Sequence, residues 1–95
     1  MFEIRETDEF HEWTAGLRDG LAKERIFSRL ARVESGLLGD VKYFDGVGEL
    51  RIDHGPGLRI YFVKRGRTII FLLCGGDKST QSRDIKRAKT LAQEV

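Results

Sequence analysis

The sequence predicts an α+β domain in which two N-terminal helices pack on a curved, mainly antiparallel sheet. Three observations support this fold class. Apolar residues recur at helical spacing up to about residue 37, the pattern alternates with a period of two from residue 40, and the tail is helical again. The element order is β-α-α-β-β-β-α. The chain of 95 residues suits one domain covering residues 1–95.

The N-terminal part is predicted to form one strand and two helices. Phe2-Glu3-Ile4-Arg5 alternates apolar and polar residues, and Thr7 and Asp8 offer an N-cap for the first helix. Asp19-Gly20 marks an interruption before the second helix. In that helix we expect an apolar stripe and an opposite polar side. The stripe consists of Leu21, Phe27, Leu30, Val33 and Leu37, and the polar side of Arg25, Arg29 and Arg32.

The remainder of the chain is predicted to form strands and a final helix. Gly46 and Gly48 separate the first two strands, and Gly75-Gly76 is expected to stop the last one. The tail Asp77–Val95 is predicted to be helical, with Asp77 or Ser79 as its cap. The face of the sheet opposite the two N-terminal helices is expected to stay partly open. The predicted strands are Val41–Asp45, Glu49–Asp53, Leu58–Lys64 and Thr68–Cys74.

Composition narrows the functional classes. A single cysteine, Cys74, cannot form an internal disulfide, so a reducing cytoplasm is the expected location. The longest apolar run has six residues, whereas a membrane span needs about twenty. Two histidines provide no metal-ligand cluster, and no cofactor motif is present, so we expect neither metal nor cofactor. Residues 21–95 hold fifteen bases and nine acids, which is compatible with a nucleic-acid partner.

The turn His54-Gly55-Pro56-Gly57 suggests a specific strand pairing. If Ile52 lies opposite Leu58, then Arg51 lies opposite Arg59 on the other face. Like charges placed directly opposite each other destabilise a sheet. A phosphate between the two guanidinium groups removes that repulsion, and arginine matches phosphate geometry. This pair is therefore a candidate phosphate site.

Nearby residues extend the candidate site. His54 is the acid/base candidate in the turn, and Tyr61 shares the face of Arg59 and could stack on a base. Lys64 and Lys78 add positive charge, the latter near the start of the last helix. Structural explanations stay open for each residue. The arginines can pair with neighbouring acids, and His54 can be a plain turn residue.

Two segments carry a resemblance to a known family. Residues 49–62, read as ELRIDHGPGLRIYF, and residues 72–81, read as LLCGGDKSTQ, resemble the RelE/ParE toxin superfamily. Within it they are most similar to the HigB-like branch, also described as phage-derived addiction module killer proteins. The likeness extends over nearly the whole chain. It implies a catalytic role for Arg59, basic site positions at Arg51 and Lys78, and a site neighbourhood that includes Gln81.

The resemblance also implies a function and partners. The expected protein is the toxin of a type II toxin–antitoxin system that cleaves mRNA on the ribosome without a metal. Its expected partner is a helix-turn-helix antitoxin encoded beside it, which alone would contact operator DNA. Two alternatives stay open at this stage: a ParE-like inhibitor of DNA gyrase, and a non-catalytic regulatory module acting with its antitoxin.

Overall fold

The computed structural model describes residues 1–95, which form an α+β fold with a five-stranded mixed sheet. The sheet order is β1-β5-β4-β3-β2, and all neighbouring pairs are antiparallel except β1 and β5. Four strands follow the helical pair, near the four segments predicted as strands, so the element order β-α-α-β-β-β-α is one strand short. The elements are β1 Glu3–Glu6, α1 Asp8–Ala15, α2 Gly20–Glu34, β2 Val41–Phe44, β3 Val47–Ile52, β4 Leu58–Arg65, β5 Ile69–Asp77 and α3 Gln81–Ala92, with a 3-10 turn at Lys78–Thr80.

Side-chain caps fix where the two N-terminal helices begin. The Thr7 hydroxyl accepts a hydrogen bond from the Phe10 amide at 3.0 Å, as the sequence predicted for an N-cap. The Asp19 carboxylate accepts from the amides of Leu21 and Ala22 and caps α2 in the same way. Asp19-Gly20 therefore marks the boundary between the helices, as predicted.

The predicted buried stripe of α2 was wrong at three of its five positions, while Val33 is buried and Leu30 packs partly buried against the core. Leu21, Phe27 and Leu37 are 50%, 56% and 63% exposed, and Leu37 lies beyond the end of the helix. The side chains that α2 buries are Ala22, Ile26, Arg29 and Val33. These four positions also follow three- and four-residue spacing, but an arginine occupies one of them in place of an apolar residue.

Several glycines that were predicted to separate or end strands lie inside strands instead. Asp45 and Gly46 have positive φ angles of 51° and 86°, which gives the two-residue β2–β3 turn its twist. Gly48 does not punctuate the sheet, since it lies inside β3 against the ring of Phe62. A Cβ at Gly48 would lie 2.2 Å from that ring.

The strand β5 continues through Gly75-Gly76 to Asp77, so these glycines do not end it. They permit close packing on the sheet instead. A Cβ at Gly75 would lie 2.3 Å from the Trp13 ring, and one at Gly76 would lie 1.9 Å from the Asp84 carboxylate. Strand β5 therefore supports α1 and α3 through positions without side chains.

Helices cover both faces of the sheet. On one face, α1 and α2 pack over a core that includes Ile26, Leu50 and Ile60. On the other face, α3 packs over Tyr61, Leu73 and neighbouring residues. This second face is thus covered in part and open around Arg51 and Arg59, in agreement with the expectation of a partly open face. None of the helices is long and apolar enough to cross a membrane.

A candidate phosphate site beside the β3–β4 turn

Strands β3 and β4 pair in the register that the sequence predicted. Ile52 lies opposite Leu58, and Arg51 lies directly opposite Arg59. The alternation of apolar and polar residues in β3 and β4 sets this register, because one face is buried under α2. Two arginine side chains therefore start from neighbouring positions on the same face.

These arginines line an open pocket together with Lys78, which we call the basic pocket. It has a volume of ≈ 320 Å³, and most of its lining residues are charged or glycine. Gly57 has a φ of +83° there, and a Cβ at this position would lie 3.4 Å from Nη1 of Arg59. The remaining lining residues are Asp40, Asp53, Gly55 and Pro56.

Arg59 is the more buried of the two arginines, with 12% of its side chain exposed. Its Nη1 donates to the carbonyl of Leu58 at 3.2 Å, while its buried Nε has no hydrogen-bond partner. Buried polar groups are rarely left unpaired, because each costs about 1–3 kcal/mol. Nη2 of Arg59 makes no hydrogen bond either, so the part of the guanidinium group that lines the basic pocket keeps donor capacity that a bound anion can use.

A buried carboxylate lies behind Arg59. Glu49 is fully buried, and its Oε1 lies 3.9 Å from Nε of Arg59 without a hydrogen bond. Its Oε2 accepts from the Tyr61 hydroxyl and from Nε2 of Gln81, both at 2.9 Å. The negative charge balances part of the charge of Arg59, and the two donors hold the carboxylate in place. Neither the alternation nor the resemblance predicted that Glu49 is buried. Burial is unusual for a glutamate.

Arg51 forms an ion pair on the solvent-exposed side of the basic pocket. Its Nη2 donates to Oδ1 of Asp40 at 3.1 Å, and 38% of its side chain is exposed. Because both partners of this ion pair are exposed, a ligand can replace the carboxylate at little cost. The sequence left open whether the arginines pair with neighbouring acids such as Glu49 or Asp53. In the structure Arg59 approaches Glu49 without a hydrogen bond, and Arg51 forms an ion pair with Asp40.

His54 does not join the arginines, which corrects the sequence prediction. It has the same parity as Ile52 and points to the helix side of the sheet, where its Nε2 bonds Oδ2 of Asp19 at 2.9 Å. This hydrogen bond holds the pKa of Asp19 below its usual value. An acid/base role for His54 in the basic pocket is therefore not supported by its position.

Two further candidates also lie elsewhere. Tyr61 shares the face of Arg59, as predicted, but it is fully buried beneath α3 and cannot stack on a base. Burial, together with its hydrogen bond to Glu49, raises the pKa of Tyr61 above its usual value. Lys64 lies near the other end of β4, with its ammonium over the ring of Phe2. Gln81 contacts the site indirectly through Glu49.

A second depression adjoins the basic pocket, and we call it the side cleft. It has a volume of ≈ 220 Å³ and lies between the end of α1, the start of α2 and the His54–Leu58 turn. Pro56 lines both the side cleft and the basic pocket, while Asp77 lines the cleft and Lys78 the pocket. The contribution of Trp13 to this cleft was not predicted, because Trp13 follows Phe10 at helical spacing, which is typical of core residues.

Cys74 is not placed for nucleophilic chemistry. It is buried beneath α3, and burial raises the pKa of its thiol to about 12. A thiol in this state is not ionised near neutral pH. It acts as a small core residue.

Taken together, the fold and the pocket define a small α+β protein with a cationic pocket suited to a phosphate group. No protein-family model matches the chain. An uncharacterized protein of Haemophilus influenzae is 47% identical over 94 residues, which cover 98% of this chain and 95% of that protein. The chain belongs to the same protein family as this Haemophilus influenzae protein.

Proposed function

We propose that this protein is a RelE/ParE-type toxin of the HigB-like branch, and that it cleaves mRNA on the ribosome. The observation that carries the proposal is the basic pocket, in which Arg51, Arg59 and Lys78 converge on one open, polar volume. The matched segments 49–62 and 72–81 support the same assignment, because they supply most of the residues that form this pocket.

The proposed reaction is an intramolecular attack of a 2′-hydroxyl on the adjacent phosphodiester. The new bond joins the 2′-oxygen to phosphorus, the bond to the 5′-oxygen breaks, and the products are a 2′,3′-cyclic phosphate and a 5′-hydroxyl. Guanidinium groups of Arg51 and Arg59 stabilise the charge on the phosphorane, where fixed donors are most effective. No metal is required for this chemistry.

The proton transfers need groups that line the pocket. With His54 elsewhere, the carboxylates of Asp40 and Asp53 are the available bases, and Asp40 is engaged by Arg51. Asp53 is therefore the freer acceptor for the 2′-hydroxyl proton. The ammonium group of Lys78 can donate a proton to the leaving 5′-oxygen.

The partners follow from the same assignment. We propose a helix-turn-helix antitoxin encoded beside this chain, with operator DNA bound through that antitoxin, and a cytoplasmic site of action. The antitoxin would prevent the basic pocket from reaching ribosomal mRNA.

The test is induced expression of wild type, Arg59→Lys and Arg67→Lys without the antitoxin, followed by growth and mRNA 5′-end mapping. Lysine keeps a positive charge beside Glu49 but loses the guanidinium fork. Arg67 is exposed in the β4–β5 turn and serves as the matched control. We expect growth arrest and new 5′ ends with wild type and Arg67→Lys, and loss of both with Arg59→Lys. Cleavage that persists in Arg59→Lys would contradict the assigned site.

A ParE-like inhibitor of DNA gyrase is the second candidate. The observation that favours it is the position of His54 and Tyr61 outside the basic pocket, which leaves no histidine or tyrosine in it. Growth arrest with DNA damage and intact mRNA in the same experiment would select this function.

A further inference from the structure

We propose that the side cleft binds one nucleobase of the nucleotide whose phosphate lies in the basic pocket, and that it prefers a base with an exocyclic amino group. This inference rests on the proposed function for the identity of the ligand as RNA. It concerns the side cleft, which shares only Pro56 with the basic pocket, and it assigns the base contact to Trp13 in place of Tyr61.

The size and lining of the cleft fit a single ring system. Its volume of ≈ 220 Å³ is below the range of about 300–1,000 Å³ for sites that enclose drug-sized ligands. Trp13, Leu17 and Leu58 give it an apolar part, and Trp13 is only partly buried. An aromatic side chain at such a site offers a stacking surface for a base.

The position of the cleft fits a nucleotide rather than an isolated ring. Pro56 alone is shared by the two depressions, and the consecutive residues Asp77 and Lys78 line one each. A ligand that fills both depressions must carry an anionic group and a flat ring, joined by a short linker that passes over Pro56. A nucleoside monophosphate unit has this composition, with the ribose as the linker.

The polar groups that hydrogen bonds hold in the cleft are acceptors, whereas the side chain of Arg18, which also lines it, is exposed and makes no hydrogen bond within the chain. Asp19 is fixed there by three hydrogen bonds, two from the backbone of α2 and one with Nε2 of His54. When Nε2 of the neutral imidazole donates to Asp19, Nδ1 is an acceptor. Asp77 adds a carboxylate whose Oδ1 is already bonded to Ser79. Acceptors match the amino groups of adenine, cytosine or guanine, whereas uracil has none.

The test is a nuclear magnetic resonance titration of the full chain with adenosine 5′-monophosphate, uridine 5′-monophosphate and inorganic phosphate. Trp13 is the only tryptophan, but it also borders a depression beside α3, whereas Ala22 lines the side cleft and not that depression. The Trp13 indole N–H signal is therefore read together with the Ala22 amide signal, and a shift of both reports the side cleft. The Arg59 Nε–H signal reports the basic pocket. We expect all three ligands to shift the Arg59 signal and only the nucleotides to shift Trp13. The uridine nucleotide should bind about three- to tenfold more weakly, the factor contributed by one hydrogen bond.

A matched pair of variants tests the edge contact. His54→Leu removes one acceptor and the hydrogen bond that holds a second acceptor, Asp19, and we expect it to reduce the preference for the adenosine nucleotide while phosphate still shifts Arg59. His11→Leu, the change at the other histidine, is exposed on α1 and should behave as wild type. An unchanged preference in His54→Leu would overturn the proposed base selectivity.

The readouts separate this inference from the proposed function. Shifts at Arg59 without any at Trp13 would overturn the base site and leave the phosphate pocket in place. Shifts at Trp13 without any at Arg59 would overturn the joint site, because base and phosphate would then not bind together. Absence of both shifts would contradict the phosphate pocket itself, and the base site with it.

Discussion

Two arginines on opposite sides of the sheet are mostly buried, yet their surroundings differ. Arg29 on α2 makes four hydrogen bonds to the carbonyls of Leu38, Asp40 and Arg51, at 2.7–3.1 Å. Arg59 on β4 makes one, at 3.2 Å, and its Nε is unpaired. The difference separates a side chain whose donors are saturated by the fold from one whose donors are available to a ligand.

The saturated arginine also supports the other region. Its acceptors belong to the segment that precedes β2 and to the backbone of Arg51, so it joins α2 to the strand that carries the basic pocket. Burial lowers the pKa of Arg29, but the carbonyl oxygens solvate its charge. Gly39 allows this contact, since a Cβ there would lie 3.0 Å from the guanidinium group.

The largest expected effect comes from removing the saturated arginine. Arg29→Met should lower the free energy of unfolding by about 3 kcal/mol, because it leaves three carbonyls without their charged donor. Urea denaturation measures this change. Arg25→Met, at an exposed position of the same helix, should stay within about 0.5 kcal/mol of wild type. Equal losses in the two variants would remove the distinction between a structural and a ligand-binding arginine.

The next effect concerns the unsaturated arginine and should appear in binding rather than in stability. Arg59→Lys should weaken the binding of inorganic phosphate by about 2 kcal/mol, because a bidentate charged contact is lost. Its free energy of unfolding should change by less than about 1 kcal/mol, because a positive charge stays near Glu49. Isothermal titration calorimetry and urea denaturation measure the two quantities. A loss of stability with unchanged phosphate affinity would reverse the roles given to Arg29 and Arg59.

A smaller effect tests the buried network behind Arg59. Tyr61→Phe removes one of the two donors to Oε2 of Glu49, which should lower the free energy of unfolding by about 1 kcal/mol. Tyr43→Phe is the matched control, since Tyr43 is 57% exposed and the change should have almost no effect. If thermal denaturation finds both variants equal to wild type, the Tyr61 hydroxyl does not stabilise Glu49.

The smallest effect should come from the exposed ion pair of Arg51. Asp40→Asn should change the free energy of unfolding by less than about 0.5 kcal/mol, because exposed pairs contribute little. It should increase phosphate affinity about threefold, since a competing negative charge leaves the pocket. Glu94→Gln, near the C-terminus, controls for the change in net charge. Weaker phosphate binding in Asp40→Asn would show that Asp40 orients Arg51 instead of competing for it.

Sequence patterns predicted local pairing better than long-range cover. The Arg51–Arg59 register could be predicted because alternation and a short turn fix it. The same parity places His54 with Ile52 on the helix side, so its position was accessible to sequence reasoning and was overlooked. The cover of Tyr61 by α3 could not be predicted, because it depends on how the last helix returns to the sheet.

The buried face of α2 shows a second limit. Apolar residues at helical spacing favoured Leu21 and Phe27, while the fold buries Arg29. That burial is favourable only because three carbonyls distant along the chain meet the guanidinium group. Such acceptors exist only once the chain has folded, so hydrophobic spacing alone selects the wrong phase.

The single cysteine makes the attachment of α3 measurable. Cys74 is 4% exposed beneath α3, with Sγ 3.7 Å from the carbonyl of Asp84, so a disulfide reagent gains full access to it when the helix moves away from the sheet. The rate of thiol labelling in the native protein therefore reports how often this helix opens. Compared with the rate for the unfolded chain, it yields the opening free energy of one structural unit.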